Sequence, residues 1–394
     1  MKKQQFSPEL ARSVLTTLAT ALSFGAVLLS APDASAVGVQ KLSLTTNPGS
    51  SRGNFISAPL LKPRVWRGAV DSIAGNVITV EGGTLPADLG RRLGDGTLNA
   101  AGSPQYIVIT RWEANAAFPS TGVAGDWWHI DSSTGTTVAV APGVQGPSVS
   151  LQAGDRIEIV PLANLRDLFG GPGGPTTILN KDSNGGASVD EEDVIFFMGG
   201  SLGLNFASNI IFHNGALTGG QEGYIVNGTD GPFDGQYLTV GPDQAFFVYR
   251  LKNTANVNGF NAGHAHRAPL THYCLGSASG SYHTGVGTGF PVNAPIGGSG
   301  LHSAAGFNLD NNGGPSTAEE DVLWEVGGTS GTSFPAALIR HDGTLTGGTP
   351  VWVLDPPGVP DDTTAVQSGR GYFLGRKSLV STPLLWRENH PFKL

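Results

Sequence analysis

Cysteine is nearly absent from this chain: among 394 residues there is one, Cys274. A lone thiol cannot close an internal disulfide, so the fold must rest on burial, and Cys274 reads as a small buried hydrophobe. Charge is scarce as well, at 14% of residues, against roughly 25% in an ordinary globular domain. The apolar fraction is 39%, enough for a core, which excludes the disorder of weakly apolar, highly charged chains. Long apolar runs are missing after residue 36, so no helical membrane span is expected beyond that point. Basic clusters are missing too. The net charge is −8, and a surface of that sign repels phosphate backbones, which argues against nucleic acid as a partner. Glycine is abundant, with 58 residues, but lacks the period of three that collagen requires.

The first 36 residues read as a secretory signal peptide. Lys2, Lys3 and Arg12 form a basic front, and Ser13 to Ser30 is apolar and uncharged. Ala34-Ser35-Ala36 then supplies the small-residue cleavage pattern, which places the mature start at Val37. The expected location is secreted: extracellular, or in the periplasm or outer envelope.

Beyond that point the chain punctuates like a β protein, with short apolar runs separated by Gly, Asn, Asp and Ser. Trp66 to Val80 reads as two strands about a Gly75-Asn76 turn, and Gln105 to Trp112 as another strand. Trp127 to Ile130 and Thr136 to Val140 flank a polar turn, while Arg156 to Val160 alternates as a half-buried strand does. Only Ala163 to Phe169 suggests a helix. The fold class is therefore all-β, with a barrel- or sandwich-like N-terminal domain over residues 37–168. A duplicated, sandwich-like region follows, its halves at 169–272 and 273–394.

The duplication is the strongest internal signal. DSNGGASVDEEDVIFFMGG from Asp182 matches DNNGGPSTAEEDVLWEVGG from Asp310, 128 residues later. At the same offset His213 to Gly220 meets His341 to Gly348, and Ala245-Phe246-Phe247 has a looser counterpart around Tyr372-Phe373-Leu374. Thr176 to Leu179 and Val194 to Met198 read as strands of the first copy, and Asn214-Gly215 and Asp342-Gly343 as hairpin turns.

NFISAPL (Asn54 to Leu60), WRGAVDSIAGNVITV (Trp66 to Val80), AGDRIEIVPLANLRDLF (Ala153 to Phe169) and the duplicated loops together resemble an uncharacterised family of secreted, β-rich bacterial proteins. That family often occurs as several paralogues in one genome and has no assigned activity. The likeness spans most of residues 50 to 380. It implies an exported, β-rich, non-catalytic protein, and it brings no catalytic residues to carry over.

Four constellations offer chemistry. The duplicated loops fit part of a calcium-loop template, with oxygen donors at positions 1, 3, 5 and 12 and Gly at 6. The first copy supplies Asn180, Asp182, Asn184, Gly185 and Glu191; the second supplies Asn308, Asp310, Asn312, Gly313 and Glu319. Each set contains only two carboxylates, and the competing reading is that Asn, Asp and Gly simply turn the chain. Calcium is thus the one cofactor the sequence suggests. Glu191-Glu192-Asp193 and Glu319-Glu320-Asp321 do not make a glycosidase pair, because neighbours on a strand face opposite ways. His264, His266, His272, His283 and His302 cluster around Cys274, but their spacing fixes no third metal ligand. Finally, one of the adjacent Trp127 and Trp128 must face away from the core if they lie on a strand, which makes them candidates for stacking on sugar rings.

The expected function is that of a secreted, non-enzymatic structural or interaction protein of the cell envelope or extracellular matrix. The alternative is a carbohydrate-binding protein using exposed aromatics. A metal-dependent hydrolase built on the histidines comes third. Envelope or matrix components and polysaccharide are the partners these readings suggest.

Overall fold

The computed structural model describes residues 37–86, 89, 105–110, 124–141, 146–199, 201–216, 219–226, 238–242, 244–264, 270–289, 292–345, 347–355, 359–360 and 362–388. The signal-peptide reading of residues 1–36 lies outside them. The fold is all-β. Among the described residues no helix is long and apolar enough to cross a membrane.

Residues 66–161 form a closed six-stranded barrel. Its strands are Trp66–Ala74, Val77–Val80, Thr137–Val140, Trp127–Ser133, Tyr106–Thr110 and Arg156–Pro161, each antiparallel to its neighbours. The turn after Ala74 works because Gly75 takes φ +59°, a region that costs glycine nothing. Alternation then sorts the side chains. Val70, Ile78, Val108, Trp128, Ile130, Val138 and Ile157 fill the barrel, while Ile107, Ile109, Trp127 and Val160 point outward.

The chain then builds two sheets with a common plan. The first runs Gly223–Val226, Asn205–His213, Val194–Gly199, Ala245–Arg250 and Arg52–Ser57. The second runs Val351–Asp355, Ser333–His341, Val322–Gly327, Tyr372–Gly375 and His283–Val286, with Val359–Pro360 added at the far edge. In each, the last strand of the common five precedes the Asn/Gly-rich loop in the chain. In the first copy it precedes the whole barrel as well.

The boundaries expected from sequence therefore shift. Residues 37–57 belong with the first sheet rather than with the barrel: Val37–Leu44 pairs with Val257–His264, and Arg52–Ser57 pairs with Ala245–Arg250. The barrel interrupts the first copy. A boundary at 272/273 would also cut the strand Thr271–Cys274, which pairs with Leu384–Arg387. Two smaller expectations change too. Thr176 to Leu179 forms no strand; Ile178 N–H instead donates to Phe169 O, and Leu179 is buried against the sheet. The register Trp324↔Phe373, beside Phe196↔Phe247, makes Phe247 rather than Phe246 the counterpart of Phe373.

The expected helix is present as Leu165–Phe169. It starts in a capping box, Asn164 Oδ1 accepting from Asp167 N–H and Asp167 Oδ2 from Asn164 N–H. Leu165, Leu168 and Phe169 cover the inner face of the first sheet, beside Ile56, Ile195, Phe246 and Val248. The opposite face meets the second sheet. There Phe55 stacks between Phe247 and Phe373, with ring centroids 4.4 and 4.6 Å away.

Arg52–Ser57 is the seam between the sheets. Beyond its ladder with Ala245–Arg250, Phe55 O accepts from Gly371 N–H at 2.9 Å, and Ser57 N–H donates to Gly369 O at 3.1 Å. Gly371 permits this approach, since a Cβ there would lie 2.7 Å from the Phe55 ring. Phe55→Ala is expected to lower the unfolding free energy by about 3–5 kcal/mol, the usual cost of truncating a buried Phe. Gly371→Val should destabilise by the opposite error, crowding that ring. Urea denaturation midpoints check both, and a midpoint unchanged in either variant would contradict the seam.

Candidate functional site

The duplicated loops hold buried acids in equivalent places. Asp193 and Asp321 immediately precede the first strand of each copy's hairpin, and both are fully buried. Asp193 accepts from Asn180 N–H at 2.7 Å, from the Asn180 side-chain amide at 3.0 Å, from Leu251 N–H at 2.8 Å and from the Arg250 guanidinium. Asp321 accepts from Asn308 N–H at 2.9 Å, from the Asn308 amide at 3.2 Å and from Lys377 N–H at 2.6 Å. Arg376 Nη1 lies 3.1 Å from Asp321. Arg250 and Arg376 are themselves buried.

The remaining template residues also serve the loops. Asp182 accepts the N–H groups of Asn184 and Gly185, and Asp310 those of Asn312 and Gly313. The Asn184 amide donates to Glu191, and the Asn312 amide to Glu319. Position 1 of the template is thus engaged with Asp193 or Asp321, position 3 caps the turn, and positions 5 and 12 hold each other. The structure engages the candidate cation ligands Asn180, Asp182, Asn184, Glu191, Asn308, Asp310, Asn312 and Glu319 in turn and clasp bonds within their own loops. Among the described residues no three His, Cys, Asp or Glu side chains converge closely enough to hold a metal ion.

His213 and His341 complete these clasps. Gly215 N–H donates to His213 Nδ1 at 2.9 Å, and Gly343 N–H to His341 Nδ1 at 3.0 Å. In the neutral ring this leaves the proton on Nε2, 3.4 Å from Asp182 Oδ2 in one copy and 3.5 Å from Asp310 Oδ2 in the other.

Glu192 and Glu320 are fully buried beside these groups and accept from Ser188 N–H and Ser316 N–H. Their second oxygens have no hydrogen-bond partner among the described residues. Burial pushes the Glu192 carboxyl up to about 7, opposed by the Ser188 bond and reinforced by Asp182, Glu191 and Asp193. Glu320 is also pushed up to about 7 by burial, with Asp310 and Glu319 raising it and Ser316 and Lys377 lowering it.

The remaining sequence candidates separate. Trp128 lies in the barrel core, and Trp127 is only 8% exposed, beneath Leu61, Leu270 and Tyr273. The alternation argument places one ring outside the barrel correctly, but the rest of the chain covers that ring, so the pair is no exposed platform. His272 is buried, stacked on Trp386 at 4.3 Å, with Nε2 3.3 Å from Glu388. His302 lies edge-on to Trp352 at 6.4 Å. His266 lies outside the described residues, and His264 ends the strand Val257–His264. Cys274 is buried in the second core.

What sequence reasoning missed is a cleft of roughly 340 Å³ where the barrel, the first sheet and the second sheet meet. Trp127, His129, Met198, Gln244, Tyr273, Tyr282 and His283 are among its lining residues. Of the sequence candidates only Trp127 and His283 line it, and the other walls come from positions far apart in sequence. Comparison of the chain with protein-family models, curated proteins and solved structures finds no match.

The buried glutamates set a pH dependence. A carboxyl raised from 4.5 to about 7 keeps its proton in the fold while the unfolded chain has released it. Its contribution to stability is therefore complete below about pH 4.5 and is lost as pH rises toward 7. Thermal unfolding of the native chain should shift downward across that window. The Glu192→Gln, Glu320→Gln double variant, which mimics the neutral acids, should show a flatter profile and a higher Tm at pH 8.

Proposed function

We propose that this chain is exported and serves as a non-enzymatic structural or interaction protein of the cell envelope or extracellular matrix. The observation that carries this reading is how the chain spends its interactions: on joints between β units. The strand Arg52–Ser57, 137 residues and more upstream of Val194 in a chain interrupted by the barrel, completes the first sheet and also bonds to Gly369 and Gly371 of the second copy. The barrel is fastened by Asp126, which receives Arg387 at 3.0 and 2.8 Å and the Thr271 hydroxyl at 2.6 Å. Trp127 Nε1 donates to Thr271 O at 2.9 Å in the same joint. Ion pairs of this bidentate, part-buried kind fix geometry. Such joints suit a protein that must hold its shape outside the cell without disulfides.

The signal-like segment before Val37 and the resemblance to secreted β-rich proteins support export. Fractionation of the native cells with antibody to this protein is expected to recover it in an insoluble envelope or matrix fraction, with Val37 as the first residue on N-terminal sequencing. Recovery from the cytoplasm with an intact Met1 start, or as a freely diffusing monomer in the medium, would overturn the reading.

A further inference from the structure

The cleft at the three-way junction has the dimensions of a small-molecule site, its roughly 340 Å³ falling within the ~300–1,000 Å³ such sites span. Strand Trp127–Ser133 of the barrel contributes Trp127 and His129. Tyr273, Leu275, Tyr282 and His283 come from the second copy, and Met198 and Gln244 from the first. Among the described residues that line it none is Asp, Glu, Lys or Arg, in a chain that carries 54 such side chains.

The aromatic wall is fixed before any ligand arrives. Trp127 meets His129 and Tyr273 edge to face, at 5.3 and 5.7 Å between ring centroids. The Tyr273 hydroxyl donates to Trp127 O at 3.1 Å, and the indole N–H is held by Thr271 O. Behind this wall stands the Asp126–Arg387 pair. A ligand entering here loses little affinity to ordering side chains.

The lining selects by chemistry. An ionised ligand would leave water for described lining residues that carry no opposite charge. A purely apolar ligand would strip water from imidazole, amide and phenol groups and return no hydrogen bonds. Burial lowers the His283 imidazole, opposed by its bond to the Leu202 backbone, so at neutral pH this ring adds no positive charge to the lining. A pyranose meets both demands, with a C–H face for the rings and hydroxyls for the polar groups. We propose that this cleft binds an uncharged saccharide among Tyr273, Tyr282 and Gln244, with the largely covered Trp127 contributing only the small part of its ring that lines the space. The proposal goes beyond the scaffold reading and is independent of it, because cell fractionation does not depend on sugar occupancy.

Calorimetry and tryptophan fluorescence on the full mature chain test it, with neutral gluco-, xylo- and manno-oligosaccharides as probes and oligogalacturonate as the charged comparison. At least one neutral probe is expected to bind and to perturb the fluorescence, through Trp127. Tyr282→Ala, which removes a wall, and Leu275→Glu, which puts a charge at the half-exposed rim, should each weaken that binding by about tenfold, or 1.4 kcal/mol. Phe334→Ala, at an exposed ring away from the cleft lining, should leave it unchanged. Unaltered thermal midpoints show that the variants are folded; if Tyr282→Ala is not, Leu275→Glu and Tyr282→Phe carry the comparison. Failure of every neutral probe at millimolar concentration, equal binding of oligogalacturonate, or binding indifferent to the cleft variants would overturn the proposal.

Discussion

Two buried aspartates, Asp193 and Asp321, are the constraint on which both sheets depend. Each sits at the start of a central strand and gathers donors from three places: the base of its own loop, an arginine, and the backbone just after the neighbouring strand. A carboxylate removed from water is costly unless it is fully paired, and removing one partner of such a pair typically costs about 3–5 kcal/mol. The pairing therefore specifies as well as stabilises. A loop of the wrong length, or a strand slipped by one residue, would leave the charge without its donors. This explains why Asn180 and Asn308 recur with Asp193 and Asp321 in both copies.

The seam follows from that constraint. With central strands locked in register, alternation sends Ile56, Phe246 and Val248 to one face and Phe55 and Phe247 to the other. The second face has no helix to cover it, so it must find another apolar surface, and the second sheet supplies one through Phe373 and Val326. The barrel closes with partners confined to residues 66–161, whereas Gln40 reaches Ser368 across 328 residues. Contacts of such separation are entropically slow to form. The barrel can thus close before the strands on either side of it meet.

Local chemistry made some of this legible and concealed the rest. The Gly75-Asn76 turn, the Asn164–Asp167 cap and the alternating Arg156–Pro161 strand carry their determinants within a few residues, so their sequences announce them. Arg52–Ser57 does not. A strand buried on both faces reads the same whether it closes the following barrel or completes a sheet whose other strands lie beyond it. Arg250 and Arg376 escaped because their spacing differs by two residues from the 128-residue offset of the loops. The candidate site was legible only as suspicious residue types. Asn, Asp and Glu in a cation-loop spacing fit equally well a loop that binds its own backbone, and only geometry distinguishes the two.

That distinction also locates where a ligand can act. In the duplicated loops the side-chain oxygens and amides are turned on one another, so a solute would have to displace bonds the fold needs. At the three-way junction the situation is reversed. Trp127, Tyr273 and Thr271 are bound to each other, while the described residues around the space beside them carry aromatic, apolar and uncharged polar side chains. Sites at the meeting of separately built units inherit such space because no single hydrophobic core fills it. The same joints that hold the β units together therefore leave an open cleft between them, so cohesion and accessible space here have one structural cause.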